Sequence, residues 1–85
     1  MVTRGIVADR IAAWLRHDIS LEQLVDWAET ALQDAQFDAA DAPQLADVVG
    51  RLGLANVRAF GLTWEDCERL LHRLGYKAHV EITAD

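Results

Sequence analysis

The stretch DISLEQL (residues 18–24) marks a helix start and, through it, the organisation of the first half of the chain. Ser20 is placed to cap the helix, and Gln23 lies three residues further on. In that arrangement each side chain satisfies a backbone N–H that the first helical turn leaves unpaired. Ile19 and Leu24 flank the box as a hydrophobic staple, which fixes the angle at which the chain enters the helix. Downstream, Leu21, Leu24, Val25, Ala28, Ala31, Leu32 and Ala35 recur at helical spacing and predict a helix over 21–35 with one buried stripe. Glu22, Asp26, Glu29 and Gln33 form the opposite stripe. Upstream, Thr3 can cap a helix over 4–17 whose apolar face holds Val7, Ile11, Trp14 and Leu15, widened by Ile6. The connection at 18–20 is short, and two helices joined so closely are expected to pack as an antiparallel hairpin.

QFDAADAP (36–43) is the one loop-like stretch. Asp41 is the better cap for a third helix, with Pro43 tolerated in its first turn and Gln44 closing a second box; Asp38 is a rival cap. Leu45, Val48, Val49 and Leu52 supply the buried face. Gly53 is expected to stop this helix in the left-handed conformation, with Leu54 folding back on Val49. LTWEDCERLLHRLGY (62–76) predicts a fourth helix. Thr63 is its cap, Asp66 its third residue, Leu62 and Cys67 its staple, and Gly75 its stop, with Tyr76 returning to Leu71. VVGRLGL (48–54) and LLHRLGY (70–76) echo each other, and each precedes a β-prone segment, NVRAF (56–60) and KAHVEI (77–82). The second alternates, with Ala78, Val80 and Ile82 on one side. Strands need partners for their backbone groups. The two segments therefore either pair with each other, with the fourth helix as crossover, or the last one pairs with its copy in a second chain. The expected fold is mostly α: a helical hairpin plus two more helices, with a small two-stranded β element near the C-terminus, in one domain over 1–85.

Eighty-five residues, 52% of them apolar, set the scale. Such a chain folds to a radius of gyration of about 12 Å with a stability of roughly 4–13 kcal/mol. Little room remains for an enclosed active site. Cys67 is the one cysteine, so no disulfide framework is available, which suits a reducing, cytoplasmic compartment. Asp9 and Arg10 interrupt the early apolar stretch where a signal sequence stays uncharged. No apolar run approaches the ~18–20 residues of a membrane span. The formal net charge is −6 and unevenly placed: residues 18–50 carry eight acids and no Lys or Arg, while 51–85 carry five of each sign. Nucleic-acid binding draws its affinity from neutralised phosphates, so this balance argues against it and favours a basic protein partner.

No motif announces chemistry. A nucleophilic cysteine needs a lowered pKa, and Glu65, Asp66 and Glu68 around Cys67 oppose a thiolate. It reads instead as a small apolar staple residue. His17, His72 and His79 share no ligand spacing, and there is no CxxC or HExxH. DAQFDAAD (34–41) lacks the oxygen-rich alternation and central glycine of a calcium loop. Gly50 and Gly53 follow no strand and form no phosphate loop, and Ser20, the one serine, is committed to capping. No metal or cofactor is therefore expected, and no enzymatic activity. The tryptophans are the residues that capping and helical spacing leave open. Trp14 falls on an apolar face, but Trp27 lies between the buried and acidic stripes of the second helix, and Trp64 sits in the first turn of the fourth. A tryptophan exposed beside acids is a typical binding anchor. The expected interface is Glu22, Asp26, Trp27 and Glu29, with Trp64 as a second site and the 34–47 linker extending the acidic surface. The expected function is a small acidic protein-binding module, of the kind that serves as an antitoxin or immunity protein against a basic partner. The alternative is a structural homodimer or an accessory subunit assembled through the C-terminal strand.

Overall fold

The computed structural model describes residues 1–34, 36–58 and 61–78. Four helices follow one another: α1 (Arg4–Leu15), α2 (Leu21–Asp34), α3 (Ala42–Gly53) and α4 (Trp64–Arg73). Three of the four helix starts carry the caps that the sequence predicts. The Thr3 hydroxyl accepts from the Ile6 N–H at 3.3 Å. At α2 the Gln23 N–H donates to Ser20 Oγ at 3.1 Å, and the Ser20 N–H donates to Gln23 Oε1 at 2.8 Å. The same reciprocal box joins Thr63 and Asp66 at α4, at 3.1 and 3.0 Å. At α3 Asp41 occupies the cap position, but its side chain makes no capping bond. Its carboxylate instead pairs with Arg4 at 3.3 Å, and the Gln44 amide donates to the Arg73 carbonyl. The expected second box is thus displaced by two long-range contacts. Asp38 does not cap α3 either; its carboxylate accepts from the Ala40 N–H, two residues on.

The helix ends depart further from expectation. α1 stops at Leu15 rather than at 17, because His17 turns into the left-handed region at φ 65. The His17 N–H then bonds to the Trp14 carbonyl and the Asp18 N–H to the Ala13 carbonyl, the Schellman pattern usually built on glycine. α4 ends the same way on Gly75 at φ 90, with Tyr76 N–H donating to the Leu71 carbonyl. Gly53 is not a left-handed stop: it is the last residue of α3, and the positive-φ glycines among the described residues are Gly61 and Gly75. What Gly53 provides is closeness, since a Cβ there would lie 3.8 Å from Leu32 and 4.0 Å from Ala28 of α2. Leu54, expected to fold back on Val49, is exposed.

A single cluster of buried side chains takes Val7 and Ile11 from α1, Leu24 and Ala28 from α2, Leu45 to Leu52 from α3, and Cys67, Leu70 and Leu71 from α4. α2 makes its most extensive contact with α3, not with α1, so the expected α1–α2 hairpin is not the dominant pair. The reason is visible in the side chains. α3 presents four fully buried residues, and the small Ala28 and Ala31 of α2 with Gly53 let the two helices approach. α1 buries only Val7, Ala8 and Ile11, and divides its contacts among the other three helices. Ile6 and Leu32, both expected in buried stripes, are exposed instead.

The expected two-stranded element is not present among the described residues. Residues 56–58 of NVRAF form turn and bend, and Lys77 and Ala78 are in no strand. Residues 79–82 of the last segment, and Ala35 at the expected end of α2, lie outside the described residues. The β pairing found among the described residues is a parallel bridge between Val2 and Phe37. Val2 N–H donates to the Gln36 carbonyl at 2.7 Å and Asp38 N–H to the Val2 carbonyl at 2.9 Å, which pins the N-terminus to the α2–α3 linker. No helix among the described residues is long and apolar enough to cross a membrane.

Candidate functional site

The outer face of α2 carries Glu22, Asp26 and Glu29, all exposed, at spacings of four and three residues that align them in one stripe. This face points outward because Leu24, Val25, Ala28 and Ala31 hold the opposite side in the core. The ion pairs among the described residues leave the stripe out. Arginines meet Asp18, Asp41, Asp47 and Asp66 instead. α2 therefore presents three carboxylates that form no ion pair among the described residues. Arg51 and Arg69 converge on Asp66, and Arg73 reaches Asp47; the Arg51–Asp66 and Arg73–Asp47 pairs tie α3 to α4.

Trp27 is half-buried, packed against the core cluster, and Arg10 of α1 sits 5.4 Å from its ring centroid. That is cation–π distance, and the contact joins α1 to α2 above the core. Trp27 thus flanks the acidic stripe with its face already occupied by a residue of the same chain. Trp64 is 37% exposed. It lines a groove of about 700 Å³ between α1 and α4, with Ala8, Ala12, Leu15, Leu71 and Tyr76. The small alanines of α1 leave this groove open. The five expected interface residues therefore divide between two surfaces: the acids and Trp27 on α2, and Trp64 on the α1–α4 groove. The groove itself escaped sequence reading, because it depends on which face α1 turns to α4.

Cys67 is fully buried among Leu70, Leu71 and the rest of the core. Burial, with Asp66 adding to it and Arg51 opposing, pushes its thiol from an ordinary 9.0 up to about 11. At neutral pH the side chain is a protonated, apolar filler. Asp66 is shifted the other way. The Thr63 backbone N–H is the largest cause, burial works against it, and Arg69, the Thr63 hydroxyl and Arg51 add to the lowering. Its carboxylate is engaged in the capping box and two ion pairs, which is a structural role. Among the described residues no three His, Cys, Asp or Glu side chains are grouped to hold a metal ion; His79 lies outside them.

Comparison with known protein families, with curated proteins and with solved structures finds no match for this chain.

Proposed function

We propose that this chain is a protein-binding module that docks a basic partner on the outer face of α2. The observation that carries the reading is the stripe of Glu22, Asp26 and Glu29, exposed on one helix face and in no ion pair among the described residues, whereas Asp41, Asp47 and Asp66 are matched by arginines. Three carboxylates on a rigid helix attract a basic surface from a distance and fix its register on contact. Trp27 adds an apolar flank to the stripe. Its ring carries Arg10 in the free chain, and a partner's cation has the same chemistry as the group it would replace.

Size, charge and the absence of a built reaction centre among the described residues suit an antitoxin or immunity-type inhibitor, which covers the basic cleft of a nucleic-acid-cleaving toxin. The free thiol of Cys67 suits a reducing, cytoplasmic compartment. The test is capture from native lysate with the tagged chain, beside a variant with Glu22, Asp26 and Glu29 changed to lysine. A basic protein recovered by the first and lost by the second supports the reading. Recovery that survives the reversal, or no specific partner at all, refutes it.

A further inference from the structure

We draw no further inference here: the strongest candidate, the groove between α1 and α4 walled by Ala8, Ala12, Leu15, Trp64, Leu71 and Tyr76, carries nothing because nothing among the described residues shows what covers it.

Discussion

Cys67 is the residue at which sequence and surroundings most nearly suggest chemistry, and its environment converts it to packing. It sits in the first turns of α4, where a helix dipole favours a thiolate. Removal from water outweighs that, and Asp66 beside it acts in the same direction. A thiol that is harder to ionise in the folded chain than in the unfolded one has a definite stability signature. Below the ordinary 9.0 both states are protonated and the thiol contributes no pH dependence; between 9.0 and about 11 only the unfolded chain loses its proton, so stability falls as pH rises. The shift corresponds to a loss of roughly 2–3 kcal/mol across that window. Urea denaturation of the wild type and Cys67→Ala, compared near neutrality and in strong alkali, isolates it, since every other group is common to both. The wild type is expected to be the more stable at neutral pH, where the sulfur fills core space, and to lose that advantage in alkali. An advantage that stays constant with pH contradicts the buried, raised thiol.

At the scale of elements, helix starts were legible and helix ends only partly so. A capping box is local: Ser20 with Gln23, and Thr63 with Asp66, need nothing beyond four adjacent residues. Asp41 and Gln44 show where such reading fails, because Arg4 and Arg73, distant in sequence, take the side chains that would have closed the box. The acidic stripe of α2 was legible for a similar reason, as helical periodicity alone aligns Glu22, Asp26 and Glu29. The α1–α4 groove and the cover of Arg10 on Trp27 were not, because they depend on how helices meet. Helix ends depend on one residue entering the left-handed region. Gly75 advertises this, and His17 does not, although both complete the same motif. A side chain at φ 65 is held there against its own preference, whereas glycine enters that region freely. His17 is exposed and forms no described ion pair, so its replacement removes little else. His17→Gly is therefore expected to stabilise the chain by about 0.5–1 kcal/mol, the left-handed strain relieved exceeding the extra freedom glycine gains on unfolding. A rise in the thermal midpoint checks it; an unchanged or lower midpoint contradicts the strain at this helix end.

Over the whole molecule, the first four residues have an effect beyond their number. The radius of gyration is 12.7 Å, near what the length alone implies, but the longest dimension is 42 Å against 27 and 21 Å for the others. In a shape this extended, contacts between the ends of the chain matter more than usual. Val2 bonds to both sides of Phe37 through its backbone and is buried in the core cluster. Arg4 pairs with Asp41 at the start of α3, and its guanidinium donates at 3.4 Å to the Leu74 carbonyl at the end of α4, seventy residues away. The two residues clasp the same junction by different means, and magnitudes rank them. Val2 is 7% exposed, so Val2→Ala removes two buried methyl groups and leaves a small cavity, at a cost of about 1–2 kcal/mol. Arg4 is 55% exposed in its side chain, and water screens both of its contacts, which limits Arg4→Ala to about 0.5–1 kcal/mol. Urea midpoints at low and high salt separate the two. The Val2→Ala loss is expected to be the larger and insensitive to salt, and the Arg4→Ala loss to shrink as salt is raised. The opposite order would mean that charge, not burial, ties the N-terminus to the junction of the α2–α3 linker with α4.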